Sequence, residues 1–576
     1  MVATLARTER RLTIQTADIA EDTTTIRSLD WDRDRFDIEF GLQNGTTYNS
    51  HLIRGEKIAL VDTSHEKFRQ LYLDALTGLI DPKQIDYLII SHTEPDHSGL
   101  VKDFLQLNPD VVVVAAKIAI QFLEGFVHEK FARQVVKNGD KLDLGNGHVL
   151  EFVNAPNLHW PDTILTYDWG TQTLYTCDVF GMHYCSDDLF DVNLSAIAPD
   201  YHFYYECLMA PNARSVLSAL KRMNNCIGEV KIVANGHGPL LKYNVDELIG
   251  RYQNWSIDQT KGDKTVAVFY FSGYGDSDRL SQAIARGITK TGITVQMMDA
   301  IGADPQDVRE LVEDSAGLVI GMPPASGPKA KEATTTLSTV LACANSKQAI
   351  GFFESYGDND EPIDPILTRF RELGLTQVFP GIRIKETPTE ATYQLCEEAG
   401  TDMGQFLGKS KSIQKRKSLD NDLTKAIGRI SGGLYIITAQ KGDSKGAMLA
   451  SWVAQASFEP LGITIAVAKD RAIESLMQVG DLFVLNILEE GNYQHLMKHF
   501  LKRFKPGQDR FEGVKVQEAK NGSPLLVDAL AFLECKVISR METNDHWIVY
   551  SQVDEGRVSK PDSLTAVHHR KVGNYY

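Results

Sequence analysis

"SHTEPDHSGL", residues 91–100, crowds His92, Glu94, Asp96 and His97 into one short turn. The apolar run before it, "IDYLII" (85–90), reads as a strand that delivers the chain straight into that turn. Carboxylates and imidazoles packed so closely repel or need pairing unless a cation neutralises them, so the stretch points to metal. Three later residues extend the cluster: His159 in "NLHWPDT", Asp178 in "YTCDVFG" and His237 in "NGHGPL". Each sits where a strand pattern ends, the place where an α/β scaffold puts site residues on loops. Taken singly, each is weak: a lone His at a strand end is more often a satisfied polar residue than a ligand, and Asp178 reads as well as a turn cap.

The chain around this cluster has 576 residues, too many for one hydrophobic core. With 43% hydrophobic and 24% charged residues it reads as globular protein. A net charge of −16 without a long basic block argues against nucleic acid as a partner. The seven cysteines are scattered with no C-x-x-C pair, which suggests neither a disulfide framework nor a zinc–thiolate or iron–sulfur site. "VVVVAAKIAI" is broken by Lys117 and too short to cross a bilayer, and the N-terminus lacks the apolar core of a secretory signal. These features give the expectation of a cytoplasmic protein with no integral membrane segment.

Residues 1–260 alternate β-rich runs with turns and helical patterns. From Lys264 the texture changes: "TVAVFYF" is an unbroken apolar strand of the kind buried on both faces in a parallel sheet. Leu280, Ala283, Ile284 and Ile288 follow at helical spacing, so 261–408 reads as a doubly wound α/β domain. The basic, serine-rich stretch 409–420 reads as an exposed linker. Closely spaced β runs over 421–576 read as a small β-barrel.

In "FYFSGYGDSDRL" (269–280), Ser272, Gly273, Tyr274, Gly275, Asp276 and Ser277 lie between a strand and a helix. Such a loop can aim backbone N–H groups, hydroxyls and a helix N-terminus at a phosphate. "GMPPASGP" (321–328), with Pro323, Ala325, Ser326 and Gly327, and "ESYGDNDEP" (354–362), with Ser355, Tyr356 and Gly357, follow the next suitable strands.

The H-x-E-x-D-H turn with its later His, Asp and His resembles the metallo-β-lactamase-like domain of flavodiiron proteins. Residues 261–408 resemble their flavodoxin domain, and "GAMLASWVAQASFEP" (446–460) is similar to the flavin-binding stretch of flavin reductases. The whole chain is similar to the three-domain flavodiiron proteins of oxygenic phototrophs, which implies a cyanobacterial source. The resemblance implies a multidomain α+β and α/β fold: an αββα sandwich, a flavodoxin-like doubly wound parallel sheet and a flavin reductase split β-barrel. It implies one iron on His92, Glu94 and His159, a second on Asp96, His97 and His237, and Asp178 bridging them. Each metal would then have two imidazoles and a carboxylate, a ligand set that suits non-haem iron. Hydrolytic zinc relatives carry a third imidazole where Glu94 stands. The resemblance further implies FMN in the flavodoxin domain and a second flavin in the C-terminal domain along Ser451, Trp452, Gln455 and Ser457, with Asn486 nearby. By the same resemblance NAD(P)H is the donor, dioxygen is reduced to water as a photoprotective electron sink, and the working unit is a homodimer or a heterodimer with a paralogue. Nitric oxide reduction, or service as a partner subunit, are the alternatives it leaves open.

Overall fold

Every residue of the strands Thr23–Asp30, Ile164–Asp168 and Thr173–Cys177 is buried, a pattern that requires cover on both faces of a sheet. A computed structural model describes residues 11–569 other than 34, 37–39, 43, 129, 263, 272–275, 302, 323–329, 356–363, 386 and 419–421. It divides at Lys261 into two compact units, residues 1–36 with 42–261, and residues 37–41 with 262–576.

The first unit holds a seven-stranded sheet that runs, in order, Leu12–Ala20, Thr23–Asp30, Thr46–Arg54, Ile58–Val61, Tyr87–Ile89, Val112–Ala115, Ala132–Val135. Its second sheet has five strands: Lys141–Gly145, His148–Asn154, Ile164–Asp168, Thr173–Cys177, Ile232–Asn235. Ile53, Val61, Ile89 and Val114 of the first sheet share one core with Phe152, Ile164, Tyr175 and Ala234 of the second. The outer face of the first sheet packs Leu52, Leu60 and Leu88 under Tyr72, Leu76, Phe104 and Leu123 from helices. The result is the αββα sandwich. All four segments that carry the metal-type residues leave strands or strand-connecting loops of this sandwich.

The second unit begins with a parallel sheet in the order Thr294–Asp299, Thr265–Tyr270, Gly317–Gly321, Ala349–Ser355, Thr376–Gln377. Numbered along the chain that order is 2-1-3-4-5, the flavodoxin-like winding. The helix Ser277–Thr289 and the long helix Glu390–Ser418 pack against each other through small residues: a Cβ on Gly287 would lie 2.0 Å from the Glu397 carbonyl oxygen, and one on Gly400 would lie 1.9 Å from that of Ile284. The stretch 409–420, expected as a linker, is helical through Ser418. Its Ser, Lys, Gln and Arg residues include no Gly or Pro to stop a helix already running.

Residues beyond 431 form a seven-stranded antiparallel sheet, with Ser444–Ala450 at one edge and Val453–Phe458 at the other. Ala450, Ile437, Phe483, Val537, Val549 and Ile465 from six strands meet in one core with Val453 of the seventh, as in a barrel. The barrel is tied to the flavodoxin-like part by buried charge. Lys290 pairs with Glu397 and with Glu474, Arg540 pairs with Glu474, and Arg286 lies 3.8 Å from Glu397. Burial alone would raise the Glu474 carboxyl, but Lys290, Arg540 and Arg286 more than offset it and hold it well below the carboxylate range.

Lys290→Met strands part of that buried negative charge. We expect a loss of about 3 kcal/mol, the lower end of the range for breaking a buried pair because Arg540 and Arg286 remain. Scanning calorimetry reads it as a lower midpoint for the second unit only.

Candidate dinuclear metal centre and flavin sites

The strand Tyr87–Ile89 ends just before His92, and Pro95 opens a single helical turn that presents Asp96 and His97 inward. Asp178 follows the strand Thr173–Cys177, His237 follows Ile232–Asn235, and His159 lies in the loop between His148–Asn154 and Ile164–Asp168. All seven residues are at most 7% exposed. The structure brings the whole sequence-predicted set together.

Asp178 is the centre of the arrangement. Its Oδ2 lies 3.2 Å from His92 Nε2 and 3.0 Å from His159 Nε2; its Oδ1 lies 3.0 Å from His97 Nε2 and 3.1 Å from His237 Nε2. Glu94 Oε2 joins the first pair, 3.3 Å from His92 and 2.9 Å from His159. Asp96 joins the second, 3.5 Å from His97 and 3.3 Å from His237. The site therefore splits into two groups, each with two imidazoles and one carboxylate, that share Asp178.

Spacings near 3 Å are the edges that ligands make around a first-row ion with bonds of about 2.1 Å at right angles. His159 Nε2, Asp178 Oδ2 and both Asp96 oxygens are buried and form no hydrogen bond among the described residues, whereas His97 Nε2 meets Asp178 Oδ1 in hydrogen-bond geometry at 3.0 Å. In each of the two groups the ligand atoms lie within 4.8 Å of one another, so the residues present fit two metal ions. In the metal-free protein, protons must balance the carboxylates. Burial alone would lower His159 and His237, but Glu94 and Asp178 push the first, and Asp178 and Asp96 the second, up to about 10. Burial alone would raise Asp178, and the facing imidazoles hold it well below the usual range.

A rigid frame holds the ligands. Asp162 Oδ2 accepts from the Thr93 backbone N–H at 3.0 Å and its hydroxyl at 2.7 Å, and Asp62 Oδ1 accepts from Ser91 N–H at 2.8 Å. His237 donates from Nδ1 to the Thr47 carbonyl at 2.6 Å, which leaves Nε2 for the centre. Asn49 donates to the carbonyls of Asn235 and Gly238 at 3.0 Å each and pins the His237 loop from both sides. A Cβ on Gly236 would lie 2.7 Å from the His97 ring, so only glycine fits there. Cys177 (φ 50), Phe180 (φ 65) and Asn157 (φ 65) occupy the left-handed region beside Asp178 and His159, the kind of backbone strain that gathers at functional sites.

Four buried neighbours escape the sequence reading. Cys177 lies beside His92, His97 and Asp178. The His183 ring stands 4.9 Å from that of His237, with Nδ1 2.8 Å from the Thr46 hydroxyl. Tyr204 stands 4.8 Å from His183 in turn. Its hydroxyl is buried without a hydrogen bond among the described residues. Asp162 holds the first turn from 69 residues away in sequence. Cys177, His183 and Asp162 carried a usable signal, their closeness in sequence to Asp178 or His159; Tyr204 carried none.

Of the flavodoxin-type loop residues, the described ones are Asp276, Ser277 and Ser355. Asp276 N–H donates to the Ser355 hydroxyl at 3.1 Å, and the Phe271 N–H donates to Ser277 at 3.2 Å, so the first and third loops meet at the carboxyl edge of the parallel sheet. Ser272, Gly273, Tyr274, Gly275, Pro323, Ala325, Ser326, Gly327, Tyr356 and Gly357 lie outside the described residues. In the barrel, Ser451 Oγ is buried without a hydrogen bond among the described residues, and Trp452 stacks 5.1 Å from His546. Gln455 is exposed, and Ser457 shares a 3.0 Å hydrogen bond with Tyr550. Asn486, expected near the flavin, is buried in the barrel sheet. Its amide donates to the Ile436 carbonyl and the Thr438 hydroxyl and accepts from Leu526 N–H, which uses its bonding capacity inside the sheet.

Family profiles match three stretches: ODP family beta lactamase over residues 46–238, flavodoxin over 268–400 and flavin reductase like domain over 427–575. Diflavin flavoprotein A 1 of Synechocystis is 68% identical over 568 residues, 99% of either chain. A Nostoc relative, diflavin flavoprotein A 3, is 69% identical over 577 residues, the full length of both. The chain is a flavodiiron protein of the diflavin flavoprotein A family. A metal-soaked Flv1 flavodiiron core from Synechocystis superposes with a TM-score of 0.65 at 38% identity, over 69% of this chain and 99% of that one. As a flavodiiron protein it is an oxidoreductase with flavin modules. Among the described residues no helix is long and apolar enough to cross a membrane.

Two outcomes test the site. Asp162→Ala frees the turn that carries His92 and Glu94, and we expect iron affinity in chelator competition to fall about 10- to 100-fold, as for other residues that orient metal ligands. The second concerns pH. A histidine raised from 6.5 to about 10 stabilises the metal-free fold fully below pH 6.5 and loses that contribution as pH rises toward 10. Thermal midpoints of the metal-free protein should therefore fall across that window, whereas iron-loaded protein stays level, and loading near neutral pH should release protons.

Proposed function

We propose that this flavodiiron protein reduces dioxygen to water with electrons from NAD(P)H, its second unit relaying them through flavin. The observation that carries the reading is Asp178, whose two oxygens face two separate sets of paired imidazoles and a carboxylate, each within 3.2 Å of the imidazole nitrogens. Two iron ions, when bound there, supply the redox change and the open positions that a small oxidant needs.

The chain's own residues do the rest. His92, Glu94 and His159 would hold one ion and Asp96, His97 and His237 the other, with Asp178 shared between the two sets. Glu94 in place of a third imidazole makes the site rich in oxygen donors, which favours iron over the zinc of hydrolases. Burial of all seven excludes bulk water from the ligands. Tyr204, shielded and within electrostatic range of Asp178, Glu94 and Asp96, has its phenol pushed well above the usual range, so it keeps its proton beside the pocket. Ser277 and Ser355 frame a flavin at the edge of the parallel sheet, and Ser451 and Trp452 frame a second in the barrel. Homodimers, or heterodimers with a paralogue, are the expected working unit.

Protein purified without oxygen should hold about two irons per chain together with FMN, and should consume dioxygen with NADH or NADPH without accumulating peroxide. Zinc-only metal content with hydrolytic activity overturns the reading, and faster consumption of nitric oxide than of dioxygen reassigns the oxidant.

A further inference from the structure

The two candidate flavin faces of the second unit lie at opposite ends of a locked assembly. The helices Ser277–Thr289 and Glu390–Ser418 run parallel: Gly287 lies beside Glu397 and Thr401, Gly400 beside Ile284, and Gly404 beside Thr291. That register puts Ser277, and with it Asp276 and Ser355, level with the first turn of the long helix.

The barrel lies along the same helix and points its flavin face the other way. Asp443 accepts from the Thr389 hydroxyl at 2.7 Å and Ala391 N–H at 3.0 Å, right at the helix start. From there the strand Ser444–Ala450 runs down the helix. Lys445 shares a cleft with Ala391, Gln394 and Glu398, and Ala447 to Leu449 share the next with Thr401, Asp402 and Gln405. The return path agrees, since Asp470 meets Gln405 at 3.0 Å and the Ala472 carbonyl meets Gln394 at 3.4 Å. Ser451 and Trp452 lie past the far end of this run, where the Trp452 carbonyl accepts from Ala466 N–H at 3.0 Å. At 1.5 Å per helical residue, the step from the level of Ser277 to that of Gln405 is about 20 Å. Electron tunnelling falls exponentially with distance, so this gap opposes direct transfer within one chain. A swing of the barrel toward the Ser277 edge would have to break the Lys290–Glu397–Glu474–Arg540 cluster, together with the 2.8 Å Arg510–Glu398 and 2.7 Å Arg503–Asp402 pairs.

We infer that the face bearing Ser451, Trp452 and Gln455 serves the flavodoxin-like edge of a second copy of this chain, not that of its own. This rests on the assignment of the two flavin faces proposed above. Two electrons with two protons cross the contact from donor domain to acceptor domain, and the donor regains them as a hydride from NAD(P)H, which leaves as NAD(P)+, and one proton from solvent.

The test has two arms, both on full-length chain. Benzoylphenylalanine at the exposed Gln455 of 15N-labelled protein, mixed with unlabelled wild type, should give photo-crosslinks to peptides containing Asp276, Ser277 or Ser355 of the unlabelled copy. Crosslinks to those peptides confined to one isotope overturn the inference. In the second arm, Ser451→Arg blocks the barrel face and Ser277→Glu the other. Each variant alone should fail to bleach its flavodoxin-type flavin with NAD(P)H under anaerobic conditions, and the mixture should bleach faster than the sum of the two. A mixture no faster than that sum, beside normal bleaching of wild type, overturns this inference and leaves the proposed function standing. Wild type that binds no flavin, or whose flavins the donor never reduces, overturns both. A Gln394→Cys/Ala472→Cys disulfide separates the remaining route: bleaching at the wild-type rate in the crosslinked protein supports transfer between copies, and loss of bleaching shows that the barrel must swing.

Discussion

Asp178 is a carboxylate with no exposed surface, faced by four imidazoles. An anion so placed persists only if positive charge reaches both of its oxygens, and much of the first unit is arranged around that demand. Loops from both sheets converge on it, the His237 loop is clamped by Asn49 and Thr47, and the His92 turn is clamped by Asp162 and Asp62. Left-handed φ values at Cys177 and Phe180 are the backbone cost of turning Asp178 inward, of order 1–3 kcal/mol each. The sandwich bears that cost because the ligands and their supports hang from strands buried on both faces.

The second unit also buries charge, to a different end. Lys290, Arg286 and Arg540 meet Glu397 and Glu474 directly, each cation on an acid. In the metal-type cluster, His159 Nε2, Asp178 Oδ2 and both Asp96 oxygens are buried without a hydrogen bond among the described residues, which leaves them available to a cation. The Lys290–Glu397–Glu474–Arg540 lock fixes register between the barrel and the flavodoxin-like helices.

The metal ligands were legible because five of the seven come from short, distinctive words, "SHTEPDH" and "NGHGP", and the other two end strands with clear apolar patterns. The supports were not. Asp162 reads as a loop acid, Asn49 as a strand polar residue and Tyr204 as one of several tyrosines in "YHFYYE"; each acquires its role only by long-range approach. Asn486, placed near the flavin by resemblance, has three partners in the folded sheet that "FVLNIL" alone does not show. The basic stretch 409–420 looked like a linker by composition, yet good helix formers without Gly or Pro extend a helix that tertiary packing has already begun.

Local chemistry is what a linear chain can encode directly, so the sequence by itself determined the three-module order, the identity of the metal-type donors and the candidate flavin-type stretches. Directions in space depend on packing between segments hundreds of residues apart. The grouping of Glu94 with His159 and of Asp96 with His237 about Asp178 was implied by the family resemblance; only the tertiary structure showed the supports, Asp162, Asn49 and Thr47, that hold those donors in place. Periodicity specifies which face of an element is buried, but the angle and register at which buried faces meet come from their combined shape and charge, which no single segment contains.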